Sequence, residues 1–182
     1  MNLIFEECNK KGYAPRTAQN ILETHGTLAI AVDFDSAGEK LTHRLCEKYK
    51  KPYLAIRPTG PETILNVEKV GNWIIQNKIE KLNIAGNGIY TFSKHNPAIT
   101  QNACNVYMSM LLESILNKFD ITLDLIQSGG QTGIDEAGIM AGISLNIPCK
   151  IVAPNGWTFR DGNGRDLKDE ILFKKRFKKW EI

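Results

Sequence analysis

Five short apolar runs recur along the chain, at residues 27–32, 52–56, 82–85, 121–126 and 148–153. Apolar runs of this length that do not alternate predict strands covered on both faces. Between them the apolar positions shift to helical spacing. Residues 37–50 place Leu41, Leu45 and Tyr49 on one face. Residues 61–77 do the same with Ile64, Val67, Val70 and Ile74, and Pro61 suits a first helical turn. Residues 99–118 carry Ala103, Val106, Tyr107, Met110, Leu111 and Ser114 at helical spacing, and residues 134–145 form a further helix.

The remaining segments are polar or interrupted. Residues 89–97 and 154–164 are predicted loops. Gly12 and Pro15 break up residues 1–23, leaving a short helix at residues 18–22. From Arg165 the pattern predicts a helix that frays into residues 174–180. Residues 1–25 and 165–182 are expected to be peripheral. Strands alternating with helices predict an α/β fold: a single domain with a parallel sheet of about five or more strands and helices on both faces. Right-handed crossovers bring the strand-to-helix loops to one edge, where a ligand crevice opens at the reversal of strand order. The loops at residues 33–38, 57–60, 86–96, 128–133 and 154–160 are expected to ring that crevice.

One of these loops carries the densest chemistry. Ser128-Gly129-Gly130-Gln131-Thr132-Gly133 joins a strand to a helix that continues through Ile134 and Asp135. A glycine-rich turn at a helix start leaves backbone N–H groups bare, and the helix dipole adds attraction for an anion. The expected occupant is a phosphate, and Gly130→Val is expected to block it. Ser128, Gln131 and Thr132 add polar side chains. Asp135 either complements the helix dipole or accepts hydrogen bonds from sugar hydroxyls. Ala137, Gly138, Ala141 and Gly142 form a stripe of small residues, which predicts close packing on the sheet.

Composition narrows the function classes. The chain has 182 residues, 42% of them hydrophobic, and a net charge of +3, too small to imply nucleic acid or a membrane surface. No apolar run approaches the roughly 20 residues of a membrane span, and no signal-peptide pattern opens the chain, so a cytoplasmic location is expected. Cys8, Cys46, Cys104 and Cys149 form no paired motif and read as reduced thiols. His25, His43 and His95 lack metal-ligand spacing. Lys174-Lys175-Arg176-Phe177-Lys178-Lys179-Trp180 interleaves cations with aromatics, but a solvated terminal face explains it better than nucleic-acid binding.

The turn from Ser128 to Asp135 resembles the opening motif of the molybdenum-carrier family. That family belongs to the Rossmann-like superfamily of DNA-processing protein A and the LOG phosphoribohydrolases. Leu145-Asn146-Ile147-Pro148 and Pro154-Asn155-Gly156 resemble the segment after the family's first helix. Arg16-Thr17, Asn20, Gly26-Thr27-Leu28, Leu82-Asn83-Ile84-Ala85-Gly86 and Gly88-Ile89-Tyr90 resemble later segments. Here those later segments come first, so the resemblance implies a circular permutation with new ends in the polar loop beyond Gly156. Two departures stand out. Glu136 occupies a position where the family often has arginine. The second glycine-rich loop is replaced by Asp33-Phe34-Asp35-Ser36-Ala37-Gly38.

The resemblance implies a nucleotide-like ligand or the molybdenum cofactor, and a homodimer. The leading expectation is a non-catalytic carrier, sensor or sequestering protein for a phosphate-bearing small molecule. Its binding residues are then Ser128 to Gly133 and Asp135, with Arg16, Ser36, Gly38, Lys40, Arg57, Gly86, Asn87, Tyr90, Asn155, Gly156, Trp157 and Arg160. Lys94 and His95 are further charge partners, and Tyr90, Phe92, Trp157 and Phe159 can stack a base. The alternative is an N-glycosidic phosphoribohydrolase, with Glu136 and Asp135 as candidate acids.

Overall fold

The computed structural model describes residues 2–58 and 63–178. Six parallel strands form one sheet: β1 (Leu3–Glu7), β2 (Gly26–Ile30), β3 (Tyr53–Ile56), β4 (Lys81–Gly86), β5 (Leu125–Ser128) and β6 (Cys149–Ala153). Their order is β1-β6-β5-β4-β2-β3. Helices α1 (Tyr13–Glu23) and α2 (Ala37–Lys48) pack together, as do α3 (Thr63–Gln76) with α5 (Gln101–Phe119), and α5 with α6 (Ile134–Ser144). The fold is the expected α/β class. Pro61, the predicted first residue of α3, and Thr59-Gly60 lie outside the described residues.

Leu28, Ile30, Leu82, Ile84 and Ile126 are fully buried at the centre of the sheet, as continuous apolar runs require. A Cβ at Gly138 would meet Ile84, and one at Gly142 would meet Cys149, so the small-residue stripe of α6 lies directly on the sheet. Both ends depart from the sequence expectation. Residues 3–7 form an edge strand paired only with β6, and its half-exposed, acid-bearing face hides the strand signal. Pro15 lies inside the first turn of α1, where its missing N–H costs no intrahelical bond. The C-terminal helix α7 (Glu170–Lys175) puts Phe173 into the core, and Phe177 follows it. Neither end is peripheral.

Two predicted loops are ordered elements. Residues 89–95 form helix α4 (Ile89–His95), which buries Ile89 and Phe92. Within 154–164, β7 (Thr158–Arg160) pairs antiparallel with β8 (Asp166–Lys168). Successive strands step from β5 to β6 on one side and from β2 to β3 on the other. The loops after β5 and β2 therefore diverge and open a crevice above β4. Among the described residues no helix is long and apolar enough to cross a membrane.

Candidate functional site

The crevice is a cavity of about 440 Å³. Four segments converge on it: the first turns of α1 (Tyr13, Arg16, Thr17, Asn20), the start of α2 (Ser36 to Glu39, Thr42), the end of β4 with α4 (Asn83 to Gly88, Tyr90, Thr91), and the turn after β5 (Gly129, Gln131, Thr132, Asp135). Arg160 of β7 joins them at the rim. The residues expected at the site that line this cavity are Arg16, Ser36, Gly38, Gly86, Asn87, Tyr90, Gly129, Gln131, Thr132, Asp135 and Arg160.

The turn after β5 is not a bare anion cradle. Asp135 folds its carboxylate back over it, accepting hydrogen bonds from the Gln131 N–H at 3.4 Å and from Arg16 Nη1 at 3.3 Å. Gly133 N–H donates to Gln101 Oε1 at 2.6 Å, and Ile134 N–H to the Asn87 carbonyl. Three of the amides expected for a phosphate, those of Gln131, Gly133 and Ile134, are thus engaged within the chain. Burial pushes the Asp135 carboxyl up, while Arg16 and the backbone amides oppose that push.

The guanidinium of Arg16 lies over the bare Cα of Gly129. Its Nε is buried without a hydrogen-bond partner, a cost the folded chain carries unless a ligand meets it. Asn87 is a lock. Its Oδ1 accepts from the Val32 and Asp33 amides at 3.0 and 2.9 Å, and its Nδ2 donates to the Asp33 carbonyl, so the loop after β2 is tied to the end of β4. Gln131 and Thr132 also hold structure together: they bond the backbone of Thr158 and Arg160 and fasten the β7–β8 hairpin over the turn.

Other expected residues lie elsewhere. Ser128 donates to the Ile84 carbonyl inside the sheet. Gly130 turns away from the cavity, with Phe173 and Ile151 where a Cβ would stand. Gly133 packs against Asn87 and Gly88. Lys40 pairs with Asp35 at 3.0 Å, and Arg57 donates to the Val32 carbonyl beside the Phe34 ring. Trp157 packs edge-on to Phe173, beyond Asn155 and Gly156, and none of the three lines the cavity. Glu136 is held by Arg176 at 2.7 Å, behind the turn, and does not line the cavity. Lys94 lies over the Tyr90 ring, and Phe92 and Phe159 are buried in the core.

The site also contains residues that the sequence did not single out. Tyr13 stands at the rim, its hydroxyl pushed up by burial and by Asp166, against the pull of Arg160 and Arg16. Glu39 is 4% exposed, and its Oε2 has no hydrogen-bond partner. Burial, then Asp135 and Asp33, push its carboxyl up to about 8. The sequence held one signal for it: Ser36-Ala37-Gly38-Glu39 fits the capping-box spacing, which places a carboxyl at the start of α2, beside the crevice. Among the described residues no group of three or more His, Cys, Asp or Glu side chains is placed to hold a metal ion.

A model of the circularly permutated YpsA SLOG family matches residues 3–111, more than half of the chain. The turn after β5 lies beyond that span. Among solved structures, the crystal structure of the Putative molybdenum carrier protein from Syntrophus aciditrophicus SB is 27% identical, with a TM-score of 0.41. The match covers 62% of this chain and 63% of that one, so the chain spans less than two thirds of that structure's length. No curated protein matches.

Proposed function

The chain belongs to the circularly permuted YpsA SLOG family, and on that premise we propose that its cavity binds a nucleotide-like, phosphate-bearing small molecule and releases it unchanged, as a carrier, sensor or sequestering protein. Family membership supports a small-molecule role. The observation that carries the finer reading is the buried Arg16 guanidinium, short of one hydrogen-bond partner, in a cavity whose rim holds Tyr13, Tyr90 and Arg160. A cation offers charge to a phosphate, and two phenol rings offer faces to a base. Asn20, Asn83, Thr17 and Thr42 add polar side chains to the lining. The volume of about 440 Å³ lies within the usual range for small-ligand pockets. Among the described residues the lining contains no Cys or His side chain, which favours an organic phosphate over a molybdenum cargo bound through sulfur or imidazole.

The phosphoribohydrolase reading is weaker on this geometry. Glu136 is paired with Arg176 outside the cavity, and the carboxylate of Asp135 already accepts from Arg16 and backbone amides. The test is native mass spectrometry of the freshly purified protein, then calorimetry with the nucleoside monophosphates. Binding with intact recovery supports the proposal. Release of free base overturns it and points to Glu39, the other carboxyl in the cavity. Failure of every nucleotide to bind overturns it outright.

A further inference from the structure

We infer that the anionic group of the ligand sits at the start of α2, not at the glycine turn after β5, and that Glu39 holds it there as a neutral carboxylic acid donating a hydrogen bond. This deepens the reading of the cavity as a phosphate-ligand site and rests on it. Four helices, α1, α2, α4 and α6, begin at the cavity; α4 has only seven residues, and Pro15 leaves the first turn of α1 one amide short. The start of α6 is closed by Asp135 and Gln101. The start of α2 is open: Ser36 and Gly38 line the cavity, and a Cβ at Gly38 would meet nothing within 4 Å. The helix has 12 residues, so its dipole is developed. Ser36 Oγ accepts from the Glu39 amide, and the Ser36 carbonyl accepts from Lys40, so the amides of Ala37 and Gly38 come before the first intrahelical bond.

Glu39 supplies the independent observation. It lines the same cavity, it is more than nine-tenths buried, and its Oε2 has no partner. The groups around it decide its form. Asp135 of α6 and Asp33 of the loop after β2 repel a negative charge there, and Tyr53 of β3 and Cys46 of α2 add no cation. Arg16 of α1 is paired with Asp135, and Lys40 with Asp35 on the exposed side. A carboxylate at this point faces repulsion without a donor. A neutral acid has an O–H to give and lacks only an acceptor, which a phosphate oxygen provides. The carboxyl is pushed up to about 8, so the neutral form prevails at physiological pH. The acidic loop then opposes an anion less: Lys40 pairs with Asp35 and Glu39 becomes a donor, which leaves Asp33 as the loop's remaining repulsion.

Sulfate is a suitable probe because its charge is constant across the range. Amide spectra of ¹⁵N-labelled protein are titrated with sulfate at about pH 6.5 and about pH 9.5, for the wild type and for Glu39→Gln. The expected result is a shift of the Ala37 and Gly38 amides. With a carboxyl near 8, about 3% stays protonated at the higher pH, so the wild-type Kd rises about 30-fold. Glu39→Gln, whose amide N–H replaces the O–H, keeps its affinity within about threefold across the range. Shifts confined to residues 129–135 overturn the inference. So do a pH dependence that persists in Glu39→Gln, binding that requires added magnesium, and failure of sulfate to bind. Adenosine is titrated in parallel. If it shifts Tyr13 and Tyr90 while sulfate leaves Ala37 and Gly38 still, the nucleotide reading stands and the Glu39 subsite falls. If sulfate acts at α2 and adenosine binds nowhere, the subsite stands and the nucleotide reading falls.

Discussion

The guanidinium of Arg16 occupies the space that a side chain at Gly129 would need. The two residues are 113 positions apart in sequence, yet each explains the other. Gly129 lacks a Cβ so that Arg16 can lie flat on the turn and reach Asp135 at 3.3 Å. The first glycine of the motif admits the chain's own cation, not a ligand.

Gly129→Ala therefore displaces Arg16 and strands Asp135 in a buried site. We expect a loss of roughly 3–5 kcal/mol, the scale of a broken buried ion pair. Arg16→Ala should cost a similar amount. The double variant should cost at least about 1 kcal/mol less than the sum, because both changes break one contact. Urea unfolding of the four proteins measures this. Strict additivity refutes the linkage.

Gly130→Val is expected to act on stability, not on binding alone. Gly130 has φ +67°, and a Cβ there would meet Phe173 and Ile151 in the core. Valine at positive φ is strained even where there is space. A loss above about 3 kcal/mol is expected, with little soluble folded protein. Native-like melting with lost ligand affinity would restore the phosphate-cradle reading.

These two glycines mark what was legible in the sequence. The parallel sheet was readable because β2, β4 and β5 lie between other strands and must be apolar on both faces. The turn after β5 lies beside the crevice, and Arg16, Asp135, Tyr90 and Arg160 line it. The fate of the turn's amides was not readable. A glycine-rich turn reads the same whether its N–H groups face a phosphate or the chain's own Asp135. Glu39 was missed because it looks like an ordinary capping glutamate. Its chemistry arises from burial and from two carboxylates distant or unpaired in sequence. The edge strand β1 was missed because a strand with one neighbour carries a weak pattern.

Arg176 and Glu136 form a contact that fastens the C-terminal segment. Arg176 Nη1 meets Glu136 Oε2 at 2.7 Å, Nη2 donates to the Gly130 carbonyl, and the guanidinium lies 4.3 Å from the Phe159 ring centroid. Its side chain is only 16% exposed. Arg176→Met and Glu136→Gln should each destabilise by roughly 3–5 kcal/mol. Ligand affinity at the cavity should stay within about threefold, since neither residue lines it. A Glu136→Gln protein that binds normally but has lost a measurable turnover would instead place Glu136 in catalysis.

Glu39 makes stability depend on pH in a definite direction. Its carboxyl is pushed from the ordinary 4.5 to about 8, so the folded chain holds the proton more tightly than the unfolded chain does. Its contribution is fully present below about 4.5, declines as the unfolded chain ionises, and is lost once the pH passes about 8. Glu39→Gln cannot ionise. Its stability relative to the wild type should therefore rise between those two values, by at least about 1 kcal/mol, and then stay level. Thermal melts from acid to pH 9 measure the difference. A difference that does not change with pH shows that Glu39 is ionised in the folded protein.

The permutation leads to the last prediction. The rings of Phe5 and Phe177 stand 6.0 Å apart in edge contact, so the two ends of the described chain are neighbours. Joining neighbouring ends leaves a sheet intact. New ends fit after α5, whose cap Asp120 has φ 51° and is followed by a short segment before β5. A chain running from residue 121 through 182, a short glycine–serine linker, and then 1 through 120 restores the order in which the glycine turn comes first. It should melt cooperatively and keep the ligand affinity of the parent within a few-fold. Cutting at the same place without joining the ends should not give two folded pieces. β1 pairs only with β6, and β5 lies between β4 and β6, so the cut separates β5 and β6 from β4 on one side and β1 on the other. Each half would expose unpaired strand edges and aggregate or stay unfolded. Failure of the rejoined chain to fold would show that the present order of segments is required, and independent cooperative melting of both halves would show that the sheet is not one folding unit.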